Sequence, residues 1–167
     1  MKKLLFFLVV LVACQEEEFN PSDPSADRFV ELLRTGEYDQ YEPIPNFRPE
    51  QIPDLLRYAT SLEEIPAFPI NPISSSITAN FRLGECLLWT VESIRVGHGQ
   101  EITSPERYPS LNPVLINASA QRNDGNRALD DEVLLAVQAY TDWWNESTPF
   151  EQKRTVNPLE STSLAWR

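Results

Sequence analysis

His98 is the only histidine in the chain, so any Ser-His or Cys-His mechanism has to run through it. Cys86 lies twelve residues earlier, and along a helix that is about 18 Å, several times hydrogen-bonding reach. The pair is excluded as a catalytic dyad if the intervening segment is helical. No G-x-S-x-G nucleophile elbow occurs. Gly97-His98-Gly99 reads more simply as a helix terminus, where a histidine near the last carbonyls is favourable. Zinc fails on ligand count, because one histidine and one free cysteine need two carboxylates to complete a site. The loop at Asp124-Gly125 has the glycine of a calcium loop, but that alignment puts Ala120 and Arg122 where oxygen ligands belong. Neither a metal nor a cofactor is expected, and no catalytic residue is assigned. Paired carboxylates for glycoside hydrolysis have no fixed spacing, and 25 acidic residues leave that arrangement open.

The other cysteine carries a different chemistry. Lys2 and Lys3 precede an unbroken apolar run, Leu4 to Ala13, of signal-peptide length. As a helix that run reaches only about 15 Å, roughly half the hydrocarbon thickness of a bilayer, so it is a targeting segment rather than a permanent span. Leu11-Val12-Ala13-Cys14 resembles the lipobox of bacterial lipoproteins, in which the cysteine is acylated and becomes the first residue. The alternative is an ordinary secretory signal with a coincidental cysteine. Acyl chains contribute about 0.8 kcal/mol per buried CH₂, so a multiply acylated Cys14 holds the protein on a membrane. Gln15-Glu16-Glu17-Glu18 resembles the acidic export tag of Bacteroidetes surface lipoproteins, and three adjacent like charges also stay solvated and extended.

Removal of residues 1–13 takes the 14 basic side chains to 12 against 25 acidic, a formal charge of −13. That argues against nucleic acid and anionic lipid, both of which need a basic footprint. With Cys14 acylated, Cys86 has no partner for an intramolecular disulfide, so packing alone must hold the core.

The expected organisation is a signal peptide over 1–13, an acidic lipidated tether over 14–24 and a single helical domain over 25–167. A first helix is predicted with Asp23 as cap and Pro24 at its first position, a stripe of Phe29, Leu32 and Leu33, and Gly36 ending it. Ile52, Leu55, Leu56 and Ala59 predict a second helix, with Pro53 distorting its first turn or delaying its start. Pro66, Pro69 and Pro72 space a connector that reads as a polyproline ligand or, with Phe68, Ile70 and Ile73 among them, as a strap packed on its own domain. Leu83 to Val96 is the most apolar helix and is predicted to run through the centre, wet only at Glu85, Glu92 and Arg95. Ser104-Pro105-Glu106 reads as a capped turn, and Val114 to Ile116 as either buried strand or strap. A last long helix starts near Asp130, with Val133, Val137, Tyr140 and Trp144 inward and Trp143 on a flank with Ala136 and Ala139. The tail from Val156 is expected to pack back as a strap. Asn71-Pro72, Asn112-Pro113 and Asn157-Pro158 sit in a shared apolar-Asn-Pro-apolar form and read as turn starters rather than a solenoid repeat.

Trp143, near Phe150, is the candidate binding position. An amphipathic ring there offers a stacking surface for a sugar or for a partner's apolar face. The competing reading packs it under the C-terminal strap.

FPINPISS at Phe68 to Ser75, RLGECLLWTVESIR at Arg82 to Arg95 and YPSLNPVLIN at Tyr108 to Asn117 together resemble a family of short, uncharacterised Bacteroidetes lipoproteins, over roughly Asp27 to Asn145. The resemblance implies a lipoprotein of unknown function and transfers no catalytic residue. The expected fold is mainly α, a single domain of four or five helices with proline-rich extended connectors. The expected role is a lipid-anchored outer-membrane or cell-surface lipoprotein acting as a non-enzymatic binding or accessory module, held to the membrane through Cys14 and engaging a protein or glycan. The alternative is a carboxylate-based hydrolase acting on polysaccharide or peptidoglycan, and a purely structural lipoprotein is a third possibility.

Overall fold

The computed structural model describes residues 19–74, 80–123 and 125–167. Cys14, the signal segment, the acidic run and Asp124 lie outside the described residues. Five α-helices and two small two-stranded sheets make up the regular structure among the described residues, a mainly α single domain with small sheet elements. The helices are α1 (Ala26–Thr35), α2 (Ile52–Leu56), α3 (Leu83–Gly97), α4 (Asp130–Asn145) and α5 (Phe150–Lys153).

Helix α3 is the axis of the fold. Apolar residues on two of its faces leave few positions to give to water, and every residue from Leu83 to Ile94 is buried. The expected wet edge is the correction: Glu85 is 1% exposed and Glu92 5%. Each carboxylate finds an arginine three residues away on its own side of the helix, Arg82 and Arg95, so the charges are buried as pairs.

Around this axis the chain winds as straps and short helices. Helix α1 is capped by Ser25, whose Oγ accepts from the Arg28 N–H, rather than by Asp23. Asp23 is instead held by Arg48 at 2.8 Å. Gly36 closes α1 in the left-handed region (φ 75°), as its position after the apolar stripe predicts. The segment 19–24 is not a free tether. Phe19 packs its ring on Phe29 and on Tyr38, and the Asn46 N–H donates to the Pro21 carbonyl at 2.7 Å. Aromatic burial fixes the chain from Phe19 onward.

Before α2 lies a single tight turn, Pro49–Gln51, where Pro53 has no N–H to return to Pro49. This is the distorted first turn that the proline predicts. Strand β1 (Glu64–Ile65) pairs antiparallel with β2 (Phe81–Arg82), which runs directly into α3. Between them, the proline-spaced connector packs on its own domain through Phe68. This ring bridges Phe29 (6.4 Å) and Trp89 (5.9 Å), and Trp89 in turn meets Tyr108 (5.7 Å). Ile73 does not follow it inward and is 71% exposed.

Strand β3 (Leu115–Asn117) settles the ambiguity at 114–116. It pairs antiparallel with β4 (Leu164–Trp166), so the tail packs back as a strand. Ser104 caps a turn over Pro105–Arg107, as read. Asn71 and Asn157 each accept from the N–H two residues on, which makes them turn starters, while Asn112 Oδ1 accepts from Ser74. Helix α4 buries Val133, Ala136, Val137, Tyr140 and Trp143. Its inward face is therefore rotated from the expected one, with Trp143 at 3% exposure and Trp144 half-buried. The rotation follows from Lys153, which swings under Trp144. Its ammonium lies 4.8 Å from that ring and donates to the carbonyls of Trp144 and Glu146 at the end of α4.

Gly84 sets how closely the turn after α2 approaches α3. A Cβ there would lie 2.0 Å from the Ala59 carbonyl oxygen, and its N–H donates to Ser61 at 2.8 Å. Gly84→Ala should lower unfolding free energy by about 1–3 kcal/mol or more, read from a shift in urea midpoint at constant slope.

Candidate functional site

The N-terminal ends of α3 and α4 meet over β2, and between them opens a cleft of about 620 Å³. It is lined by Glu64, Asn80, Arg82, Arg127, Asp130 and Asp131, together with Ala128 and Leu129. Strand β2 delivers Arg82, the bridge between Arg127 and Ile116 delivers Arg127, and the start of α4 delivers the two aspartates.

Beneath the floor lies Glu85. Its Oε2 accepts from Arg82 Nε at 3.1 Å and from Arg127 Nη2 at 3.2 Å, while Oε1 accepts from the Leu115 N–H at 2.6 Å. Arg82 spends its other donors on Asp130 (2.8 Å) and on the Ala128 carbonyl (2.7 Å). Arg127 also donates to the Asn80 carbonyl at 2.7 Å, and its Nε is buried with no hydrogen-bond partner among the described residues. The floor is thus a charge-cancelled lattice of Arg82, Arg127, Glu85 and Asp130, and the rim carries the exposed carboxylates of Glu64 and Asp131. Such a surface offers acceptors to a polyol or a cationic group.

The cleft's α4 wall is secured by Glu132. It accepts from Arg122 (2.9 Å), Asn117 (2.6 Å) and the Leu129 N–H (2.7 Å), and these bonds pull its carboxyl down to about 2 from the ordinary 4.5. A second polar knot lies further along α3. Glu92 is clamped by both forks of Arg95 (2.6 and 2.8 Å) and by the Tyr140 hydroxyl (2.8 Å). The Tyr140 oxygen in turn accepts from the Trp166 indole at 2.8 Å. Burial first, and then the neighbouring Glu92 charge, push the Tyr140 phenol well up.

The positions singled out by sequence lie elsewhere. Trp143 lines a smaller groove of about 360 Å³ between α4 and the tail, with Ala139, Val156 and Pro158 as apolar wall and Asp142, Glu146 and Glu160 as acidic edge. Its indole N–H is already given to the Lys153 carbonyl at 2.9 Å. Phe150 is not part of that groove and packs on His98 (5.2 Å) and Trp144 (6.5 Å). Trp143 and Phe150 are linked through the Trp144 ring, which lies 6.0 Å from that of Trp143. His98 follows the last residue of α3 and faces Glu151 at 3.5 Å. Cys86 is fully buried in the same helix, and burial pushes its thiol well up, which disfavours the nucleophilic thiolate. No group of three or more metal-ligating side chains occurs among the described residues. No helix among them is long and apolar enough to cross a membrane.

The residues that sequence reasoning missed are Arg82, Glu85, Arg127 and Asp130. A signal for half of them was present: R-x-x-E at Arg82–Glu85 and E-x-x-R at Glu92–Arg95, inside an otherwise apolar helix, are the spacing of a pair that travels inward together.

These features define a mainly helical single domain, strapped by prolines, with a charged cleft at the starts of α3 and α4. The chain belongs to the family described as Domain of unknown function (DUF4943), whose model matches residues 20–167. No curated protein and no solved structure matches it.

Two outcomes test the electrostatics. Glu85→Gln removes the buried counter-charge that Arg82 and Arg127 share and should cost about 3–5 kcal/mol in denaturant unfolding. Glu132 has a depressed folded-state pKa, so its contribution is complete above the unfolded value of 4.5 and is lost as pH falls toward about 2. The wild-type thermal midpoint should therefore drop over that window more steeply than that of Glu132→Gln.

Proposed function

We propose that the protein is a Bacteroidetes-type lipoprotein, acylated at Cys14, that works as a non-enzymatic binding or accessory module on the outer membrane, facing the cell surface. The lipobox-like Leu11–Cys14 and the glutamates after it support the anchor and the outward face. The observation that carries the module reading is the charge-cancelled floor of the 620 Å³ cleft. Arg82, Glu85 and Arg127 are bonded to one another and to backbone, which fixes a surface for recognition. The ligand class that suits an acceptor-rich rim over such a floor is a glycan or a cationic segment of a protein. One observation favours the second reading, a carboxylate hydrolase of polysaccharide or peptidoglycan: Glu64, Asp130 and Asp131 line the same cleft.

The anchor is tested by intact mass and membrane partition of the full chain expressed in a Bacteroidetes host. The mature protein should begin at an acylated Cys14, sediment with outer membranes and be labelled on intact cells by an impermeant reagent. Cys14→Ala should move it to the soluble fraction. A mature chain with an unmodified Cys14 thiol, or with its leader attached, overturns the reading.

A further inference from the structure

Three loops present large apolar side chains to solvent, and hydrogen bonds lace those loops side by side. Tyr41 is 83% exposed, Ile73 71% and Leu111 48%. The Ile70 N–H donates to the Gln40 carbonyl (3.3 Å), Asn71 Nδ2 to the Ser110 carbonyl (3.3 Å), and Ser74 Oγ to Asn112 Oδ1 (2.9 Å). Every one of these ties falls within two residues of an exposed apolar side chain, so the three belong to one end of the molecule.

The frame behind them is fixed. Arg107 is 3% exposed and donates to the carbonyls of Ile44 (3.0 Å) and Pro45 (3.1 Å), while the Tyr38 hydroxyl donates to the Pro43 carbonyl at 2.7 Å. A buried guanidinium spent on the backbone of a surface loop holds that loop in one conformation. Tyr41 therefore stands out from a rigid support.

The N-terminus emerges at this same end. Phe19 packs 5.5 Å from the Tyr38 ring, three residues from Tyr41, and Pro21 is bonded to Asn46 on the far side of the loop. From Cys14 to Phe19 is five residues, which span at most about 18 Å even when drawn straight. A domain of this length is roughly 40 Å across. An anchor so short relative to the body keeps the Phe19 end toward the lipid.

We propose that Tyr41, Ile73 and Leu111 form a membrane-docking face that rests on the bilayer interface beside the Cys14 anchor. The occupant is a lipid surface, and this inference rests on the acylation of Cys14. An amphipathic tyrosine flanked by aliphatic side chains suits the headgroup boundary. Exposed Glu37, Asp39 and Glu42 border Tyr41, so the surface that fits is zwitterionic rather than anionic. The docked orientation turns one end of the domain to the membrane and leaves its remaining surface, not the anchor, to meet a partner.

The test uses the full mature lipoprotein in phosphatidylcholine vesicles, its acylation first checked by mass. Tyr41→Cys, Ile73→Cys and Leu111→Cys each receive an environment-sensitive fluorophore, and Leu135→Cys and Val156→Cys serve as exposed apolar controls on α4 and the tail. Nitroxide lipids should quench the first three and spare the controls, with quenching weakening as anionic lipid is added. An acylated protein whose three probes fluoresce like the controls overturns the docking face and leaves the anchor standing. A probe response that tracks protein concentration in detergent without vesicles assigns the face to a second copy and likewise overturns it. An unacylated protein that stays in the aqueous phase refutes the anchor, and the docking face falls with it.

Discussion

One buried carboxylate joins the parts of this fold that are far apart in sequence. Glu85 takes a backbone N–H from β3, a guanidinium from β2 and another from the loop before α4. A charge 1% exposed is stable only when its partners are already placed. The carboxylate thus requires β2, β3 and Arg127 to arrive in one arrangement, and the cleft above them is the open side of that arrangement. Glu92 repeats the logic further along α3, gathering Arg95 and Tyr140, with Trp166 bonded in turn to Tyr140. The apolar surface of α3 makes the chain collapse around it, and the two glutamates select which collapsed form is kept.

Much of this was legible in the sequence because it is local. The two-faced apolar pattern of Leu83 to Val96 announced a central helix, Gly36 announced the end of α1, and Pro53 announced a disturbed entry to α2. What local pattern does not carry is the partner. Glu85 and Glu92 look wet on a helical wheel because the wheel shows neither Arg127, more than forty residues on, nor Tyr140. The same limit explains the α4 register: Trp143 and Trp144 are adjacent, and the choice between them was made by Lys153 returning under the helix end. Phe19 reads as linker because its neighbours are polar, yet Phe29 and Tyr38 supply the ring contacts that dock it. The cleft was the least legible part, since it is assembled from the starts of two helices and a strand with no shared motif.

The placement of the reactive and the polar groups follows from this division. Cys86 and His98, the pair a Cys-His mechanism would need, are separated by most of the length of α3, one sealed in the core and the other at the exposed end. Fixed dipoles and a rim of acceptors are concentrated at the starts of α3 and α4. A scaffold held by satisfied polar knots is well suited to presenting a surface without reshaping it.

The Trp166 indole reaches Tyr140 from β4, the strand that closes over β3. Helix α3 precedes that indole by a long stretch of chain, and β3 likewise precedes its partner β4. Completion of the native state therefore waits on β4, which both contacts need. A chain lacking β4 would lack the latch that shuts its interior.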